Sequence, residues 1–418
     1  MNTKNSLFVI FLTTMLDWVG IGLVYPLFSS LIFQTDISIL GHSTSEAARG
    51  LIFGCIIAFT SVLEFIFAPI LGVLSDNHGR KKVMVASLAC AVLGYILSYL
   101  AIVNESIALF FLSRMVIGIS SSSAGVYSAA IADLSSCEEK AKRFGIYSMM
   151  CGVGFAIGPV LGGVISRLPD GYSYLFLGAA LCSLCNMLLV SAYFLETHER
   201  KEKVCLTESY SFFNFNKLFA YREFRSLFIA LFLGGIGWSL YWEFMPVSRI
   251  TQSSYTIQDL GALYTYEAIF YGLSCGLLIR WVVNRFGGER CFFFAMTSLA
   301  LFVGVLCIDK NPAMLWVYIP IQQFMLAIFN TTATTLVSNG AHHSIQGEVL
   351  GVQTSVQSFA FAIAPMLGGL MISVMIELPL IVGATCLLIG AAVVACAIPK
   401  KIFSRGIRMT HALESMVE

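Results

Sequence analysis

The sequence predicts an all-α, polytopic membrane protein with twelve transmembrane helices in two pseudo-symmetric six-helix bundles. The first observation is composition, because 57% of the 418 residues are hydrophobic and 12% are charged, whereas a soluble domain carries about 25% charged residues. The second is the recurrence of apolar runs of about 20 residues, the length that crosses a bilayer core of about 30 Å. The third is a ten-residue pattern that recurs about half a chain apart.

Six apolar runs precede the longest polar stretch of the chain, and six follow it. Helices are predicted because lipid offers no hydrogen-bond partners to the backbone and the runs lack the alternation of a barrel strand. The predicted spans are 6–33, 48–74, 82–103, 106–131, 142–167, 173–195, 222–248, 258–283, 290–308, 313–337, 347–374 and 377–398.

Lys and Arg are concentrated in alternate loops. They occur in 75–82, 135–143 and 198–203, around Arg285 and Arg290, and in the C-terminal tail, whereas 34–47 and 104–105 contain none. Basic loops stay in the cytoplasm. We therefore expect a multi-pass protein of the inner (cytoplasmic) membrane with both termini in the cytoplasm.

An internal repeat predicts the domain organisation. Residues 154–163 read GFAIGPVLGG and residues 360–369 read AFAIAPMLGG, with seven of ten positions identical. Related halves are typical of transporters built from parallel repeats. The predicted units are a bundle at 1–195, a cytoplasmic linker at 196–221, and a second bundle with a short cytoplasmic tail at 222–418.

The loop after the second span reads GVLSDNHGRKK (72–82). Gly72 allows helix ends to approach closely, and Gly79 permits a tight turn. Asp76 can accept hydrogen bonds from a helix N-terminus or an Arg in one conformation and lose them in another. The pattern predicts a gating role, with a plain basic loop as the alternative.

The fifth span has small residues at helical spacing, where backbones can pack closely. Within it Pro159 removes a backbone hydrogen bond and permits a bend. This combination predicts a conformational role for Gly154, Gly158, Pro159, Gly162 and Gly163.

These patterns resemble signatures of the major facilitator superfamily. The loop resembles G-x-L-a-D-r-x-G-r-k-x, with matches at Gly72, Leu74, Asp76, Gly79, Arg80 and Lys81, and the fifth span resembles the G-x-x-x-G-P-x-x-G-G signature of its antiporter branch. LDWVGIGLVYPL in span one and ADLSSCEEKAKRFG at 132–145 resemble tetracycline/proton and related drug/proton antiporters. The resemblance covers about the first 165 residues. It implies the major facilitator fold and proton-coupled export of a small organic solute, including drugs, by alternating access.

The sequence departs from the tetracycline pumps at three positions. Gly94, Tyr271 and Ser298 align roughly with an acid, a functional His and a second acid of those pumps. The departures argue against tetracycline as the substrate and leave the superfamily assignment intact.

Five charged residues within the spans are candidates for proton coupling. Apolar surroundings favour the neutral form of a carboxyl group, so such a group can exchange protons near neutral pH. We expect Arg114, in a fourth-span R-x-x-x-G pattern, to pair with an acid of the first half. The alternative for Arg114 is a position near the outer interface. The alternative for each acid is a fixed structural pair without a proton role. The candidates are Asp17, Glu64, Glu243, Glu267 and Arg114.

Aromatic and amide side chains of the spans are candidates for the solute-binding surface. They suit a planar or amphipathic organic molecule, although Trp residues also occur in interfacial belts. The candidates are Trp18, Tyr25, Trp238, Tyr241, Trp242, Tyr271, Gln322, Gln323 and Asn330.

Other classes remain as alternatives. A transporter of a specific metabolite or siderophore, in either direction, fits the same architecture, and a non-transporting membrane sensor is a more distant alternative. An enzyme is not expected, because His42, His78, His198, His342 and His343 fall in predicted loops. We predict no cofactor, no metal site and no nucleic-acid partner. The expected partners of this monomer are a small organic solute, protons and the lipid bilayer.

Overall fold

A computed structural model describes residues 3–34, 39–41, 43–135, 139–197, 224–253, 255–275, 279–309, 311–340 and 346–397. The described residues form fourteen α-helices and contain no strand. Of the predicted linker 196–221, only the first two residues are described, and the C-terminal tail lies outside the described part. The all-helical fold class is confirmed.

Seven helices belong to the N-terminal half of the chain and seven to the C-terminal half. The first set is α1 (Thr3–Phe33), α2 (Glu46–His78), α3 (Arg80–Val103), α4 (Ile107–Ser121), α5 (Ala124–Asp133), α6 (Lys140–Ile165) and α7 (Gly171–Tyr193). The second set is α8 (Arg225–Ser253), α9 (Ile257–Leu273), α10 (Ile279–Phe286), α11 (Gly288–Ile308), α12 (Pro312–Gly340), α13 (Gln346–Ile372) and α14 (Leu378–Ala397).

Eleven helical segments of the described part are long and apolar enough to cross a membrane. The fourth predicted span is one such segment made of two helices, α4 and α5. The eighth predicted span corresponds to α9 and α10, and residues 276–278 between them lie outside the described part. The sequence placed His78 in a loop, which is wrong because α2 continues through that residue.

Local side-chain chemistry explains where several helices begin and end. Ser45 and Ser106 accept hydrogen bonds from backbone N–H groups in the first turns of α2 and α4, as N-cap residues do. Thr256 forms a capping box with Asp259 at the start of α9. Gly79 ends α2 at φ +98° and Gly287 follows α10 at φ +84°, a conformation that glycine adopts readily. These two glycines occupy corresponding turns of the two halves.

The glycines of α6 allow its backbone to contact that of α1. A Cβ atom at Gly158 would lie 2.6 Å from Gly22 Cα, and one at Gly162 would lie 2.8 Å from the Leu23 carbonyl oxygen. Gly154 meets the carbonyl of Met15 in the same way. This is the close packing of small residues that the fifth-span pattern predicts.

We predict that Gly158→Ala lowers the thermal stability of the protein in detergent. The added methyl group has to displace the α1 backbone, and overpacking of this kind costs about 1–3 kcal/mol. Gly152→Ala is the matched control on the same helix, because a Cβ atom there meets nothing within 4 Å. Equal melting temperatures for the two variants would show that the α1–α6 contact is not tight.

Candidate functional site

The two halves contact each other near the helix ends that lie away from the basic loops. The Gln34 side chain, just after α1, donates from Nε2 to the Tyr255 carbonyl oxygen over 2.8 Å. Gln258 Nε2 donates to Ser166 Oγ over 3.0 Å. These bonds join loops that contain few Lys or Arg residues, so this end of the molecule is closed.

Two glycine-lined crossings reinforce the closed end and follow the internal repeat. A Cβ atom at Gly261 of α9 would lie 2.7 Å from the Pro159 carbonyl oxygen of α6. A Cβ atom at Gly54 of α2 would lie 2.7 Å from the Pro365 carbonyl oxygen of α13. Pro159 and Pro365 are equivalent positions of the ten-residue repeat. The repeat thus encodes both the α6–α9 and the α2–α13 crossings.

The glycines near the opposite helix ends, next to the basic loops, have no close neighbours. Cβ atoms at Gly72 near the end of α2 and at Gly145 and Gly152 in the first half of α6 would meet nothing within 4 Å. The same holds for Gly272 at the end of α9. These glycines therefore take no part in a close crossing between the halves.

An aromatic cluster lies where the halves meet. The Tyr25 ring of α1 lies 5.8 Å from Trp242 of α8 and 5.3 Å from Tyr264 of α9. The ring centre of Phe155 of α6 lies 6.1 Å from that of Tyr25, and the ring centre of Trp18 lies 6.0 Å from that of Phe155. Four helices from both halves thus contribute rings to one surface.

A carboxyl group lies within the cluster. Tyr25 donates from its hydroxyl to Glu243 Oε1 over 2.8 Å, which links the N-terminal half to the C-terminal half. Trp238 lies 6.0 Å from Trp242 and 5.0 Å from Tyr241. Both Trp side chains are half-buried and pack against other aromatic rings of the protein.

Glu267 is the most enclosed of the four acids. Its side chain is 1% exposed, and it accepts a hydrogen bond of 3.1 Å from the Tyr241 hydroxyl on Oε1. Its second oxygen, Oε2, has no hydrogen-bond partner among the described residues. Three of the predicted solute-binding residues are also enclosed, since Tyr241, Gln322 and Gln323 are at most 2% exposed.

Asp17 belongs to a separate polar cluster in the N-terminal half. Asn186 of α7 donates from Nδ2 to Asp17 Oδ1 over 3.0 Å and to the Thr13 carbonyl oxygen over 3.1 Å. The Tyr127 hydroxyl of α5 lies beside Asp17. Asp17 is thus held by neutral donors rather than by a cation.

Among the described residues Arg114 forms no ion pair with an acid, so that expectation is wrong. Its guanidinium contacts Ser98 and Ser113 and lies 4.8 Å from the centre of the Phe28 ring. It is 4% exposed, so the alternative of an Arg that reaches the outer interface is also wrong. Ring faces stabilise a desolvated guanidinium, which explains how this cation is accommodated without a carboxylate.

Glu64 lies on an exposed part of α2. Its backbone carbonyl oxygen accepts a hydrogen bond of 3.0 Å from Ser122.

The Tyr271 hydroxyl accepts a hydrogen bond of 3.2 Å from Asn330 Nδ2 on α12, so these two predicted solute-binding residues lie together. Ser298 is half-buried on α11.

Gly94 and Ile117 lie in contact between α3 and α4. A Cβ atom at Gly94 would lie 2.5 Å from Ile117 Cγ1. Gly94 is one of the three positions at which the sequence departs from the tetracycline pumps. The contact leaves no room for an acidic side chain at residue 94.

The contacts described for Arg80 in the α2–α3 loop are with other residues of the N-terminal part of the chain. The Arg80 guanidinium forms two ion pairs. Its Nη1 atom lies 2.5 Å from Asp76 Oδ1, and its Nε atom lies 3.1 Å from Oδ2 of Asp133 on α5. The Glu196 carboxylate accepts from the backbone N–H groups of Arg80 and Lys81 over 2.8 and 3.2 Å, which satisfies the N-terminus of α3. Asp76 therefore has an Arg partner here.

Several contributors are absent from the sequence-based prediction. Asn186, Phe155, Tyr264, Asp133 and Glu196 take part in the contacts above. Asp133 and Phe155 fall within patterns that the sequence singles out, but single-sequence periodicity does not indicate which distant helix an aromatic or amide side chain will contact.

Comparison with known proteins identifies the family. The architecture described here is that of a membrane transporter, and the family model of the Major Facilitator Superfamily matches residues 7–365 and 227–406. The chain belongs to this superfamily and is a transporter, not an enzyme.

Two relatives and one solved structure place the chain within the family. It is 28% identical over 381 residues to tetracycline resistance protein class C of Escherichia coli, covering 88% of this chain and 89% of that protein. It is 24% identical over 397 residues to multidrug resistance protein 2 of Bacillus subtilis, covering 93% and 94%. The fold matches the human organic anion transporter MFSD10 with a TM-score of 0.69 at 19% identity, covering 94% of this chain and 100% of that chain. The resemblance to the drug/proton antiporter branch is confirmed.

We predict that Gly54→Ala loosens the closed end of the molecule. A methyl group there would lie 2.6 Å from Gly369 Cα across the two halves. Overpacking would destabilise the closed state of this end by about 1–3 kcal/mol. The fraction of molecules in which this end is open would then rise at least about fivefold. Hydrogen–deuterium exchange should then increase in 156–166 and 257–265, which line the other crossing. Gly125→Ala is the control, because a Cβ atom there meets nothing within 4 Å, and equal exchange in the two variants would contradict the prediction.

Proposed function

We propose that the protein is a proton-coupled exporter of a small organic solute, including drugs. The observation that carries the proposal is the hydrogen bond from Tyr25 to Glu243, 2.8 Å long, in an aromatic cluster between the halves. A carboxyl group at this point can exchange its hydrogen-bond partner when the halves separate. Movement of the halves around a bound solute can therefore change the hydrogen bonding of a carboxyl group.

The aromatic surface favours a planar or amphipathic solute. Rings of Trp18, Tyr25, Phe155, Trp242 and Tyr264 pack against one another at 5.2 to 6.2 Å. Such rings provide contact area at low conformational cost, and a few polar groups orient the bound molecule. The drug-resistance names of the relatives support the same class of solute.

Alternating access provides the mechanism. With basic loops and both termini in the cytoplasm, the conformation described here is open to the cytoplasm and closed on the far side. The solute enters from the cytoplasm, and the crossings at Gly54 and Gly261 then separate while the basic ends approach. Gly72, which faces open space here, would then lie at a contact between the halves.

The α2–α3 loop would change partners during this exchange. In the cytoplasm-open state Asp76 contacts Arg80 of its own half. When the cytoplasmic ends close, Asp76 is positioned to accept from a helix of the C-terminal half. The loop thereby stabilises the inward-closed state. A monomer suffices, since the solute path lies between halves of one chain.

We predict proton-driven transport by the protein reconstituted in vesicles with a pH gradient. A gradient of one pH unit sustains about tenfold solute accumulation for one coupled proton. The screen includes drugs, metabolites and siderophores, so it also tests the alternative of a specific metabolite transporter. At least one of Asp17→Asn, Glu64→Gln, Glu243→Gln and Glu267→Gln should abolish gradient-driven accumulation, because an amide does not exchange the proton.

Solute counterflow without a gradient is the control for these variants. An uncoupled variant that still folds and binds solute should retain counterflow while accumulation disappears. Unchanged pH dependence in all four variants would reject proton coupling. Absence of movement for every compound would favour the sensor alternative.

A further inference from the structure

Three side chains that the sequence assigns to the solute surface are buried inside the C-terminal half. Tyr241 is 0% exposed, Gln322 is 1% exposed and Gln323 is 2% exposed. They lie on α8 and α12 rather than on the open side of the aromatic cluster. A solute in the central opening does not reach side chains that are this deeply enclosed.

These side chains surround Glu267 of α9. The Tyr241 hydroxyl donates to Glu267 Oε1 over 3.1 Å, and the Gln322 side chain lies beside the same hydroxyl. Gln323 Nε2 lies 3.4 Å from Gln322 Oε1. The result is an enclosed polar site built from three helices.

Two polar atoms of this site have no partner among the described residues. They are Glu267 Oε2 and Gln322 Nε2. Buried polar groups are nearly always hydrogen-bonded, so each exception calls for an explanation. A carboxyl group with one unpaired oxygen is much less costly to bury in its neutral, protonated form than as a carboxylate, which favours a bound proton in this enclosed state.

No counter-ion neutralises the Glu267 carboxylate. No ion pair involving it occurs in the described part of the chain. The titratable and polar groups that the structure places near it are Tyr241 of α8, Tyr264 of α9 and Gln322 of α12. None of these groups is a cation, so these surroundings do not hold the site permanently in its charged form.

We propose that Glu267 is the centre of a proton-binding site enclosed by the C-terminal half, with Tyr241 and Gln322 as positioning residues. The inference rests on the proposed proton-coupled transport and adds to it that the proton site is separate from the solute surface. The Glu267 carboxylate gains a proton from water on one side of the membrane and loses it to water on the other. Tyr241 donates its hydrogen bond most strongly to the charged form, and Gln322 holds that hydroxyl in place.

Aromatic contacts connect this site to the interface between the halves. The Tyr241 ring lies 5.0 Å from Trp238, which lies 6.0 Å from Trp242, which in turn lies 5.8 Å from Tyr25. A change at Glu267 that moves Tyr241 therefore reaches the Tyr25–Glu243 contact through packed rings. Proton and solute can influence each other without sharing one cavity.

An infrared pH titration of the purified full-length protein tests the proposal with protons as the only ligand. The carbonyl band of protonated carboxyl groups is followed, and the component lost in Glu267→Gln is assigned to Glu267. Tyr241→Phe should move the midpoint of that component to higher pH by about one unit, because the charged form loses a donor. Gln322→Leu should move it in the same direction by less.

Tyr264→Phe is the matched control for these titrations. It removes a buried hydroxyl one turn from Glu267, and the hydrogen bond described for Glu267 comes from Tyr241 instead. A midpoint that moves no further in Tyr241→Phe than in this control, or a carboxyl band that Glu267→Gln leaves intact, would overturn the proposal. If Glu267→Gln does not fold, the conservative Tyr variants decide the question.

The titration and the transport assay fail independently. A Tyr241-dependent titration of Glu267 in a protein that moves no solute against a gradient would reject the proposed transport and retain the proton site. Proton-driven transport that persists in Glu267→Gln would retain the proposed function and reject Glu267 as its proton site.

Discussion

Contact between helix backbones at glycine is the constraint on which the rest of this structure depends. Gly158 allows α6 to lie directly against α1. On the other side of α6, the missing side chain of Gly261 leaves room for the carbonyl oxygen of Pro159. Helix α6 is thereby packed against α1 of its own half and against α9 of the other half. Since lipid provides no hydrophobic drive for helix association, van der Waals contact and polar bonds have to supply it. The cross-half part of this packing has to be reversible, whereas the part within the half does not.

The candidate site depends on both kinds of contact, those within a half and those between the halves. Tyr25 lies one turn beyond Gly22, so the tight α1–α6 contact positions its ring and hydroxyl against α8 and α9. No ion pair joins the halves among the described residues, and the hydrogen bonds between them include neutral ones such as that of Gln34 with the Tyr255 carbonyl. Neutral hydrogen bonds contribute about 0.5–1.5 kcal/mol each. An interface joined in this way closes specifically and still opens at modest cost.

The all-helical fold and most spans could be predicted because apolar length depends on local sequence. The two copies of the GFAIGPVLGG pattern predicted two related halves, but the division of the fourth and eighth spans into two helices each, and the helices that cross at the repeat, became visible only in the structure. The partners of charged side chains could not be predicted in this way. Arg114 was expected beside an acid, yet serine hydroxyls and the Phe28 ring accommodate it. Asn186 gives no local signal that it contacts Asp17, 169 positions away in the chain. Such contacts depend on tertiary packing rather than periodicity.

Burial then separates acids that look alike in the sequence. Glu64 is exposed on α2, Asp17 receives a donor from Asn186, Glu243 is bonded across the halves, and Glu267 retains an oxygen without a partner. A carboxylate with a good donor is stabilised in its charged form, whereas one that is enclosed and lacks donors is not. Domain rocking alters the surroundings of Glu243 most directly, because its partner is on the other half. Energetic coupling between proton and solute therefore requires a physical connection between Glu243 and the enclosed acid, and the packed rings from Tyr241 to Tyr25 provide one.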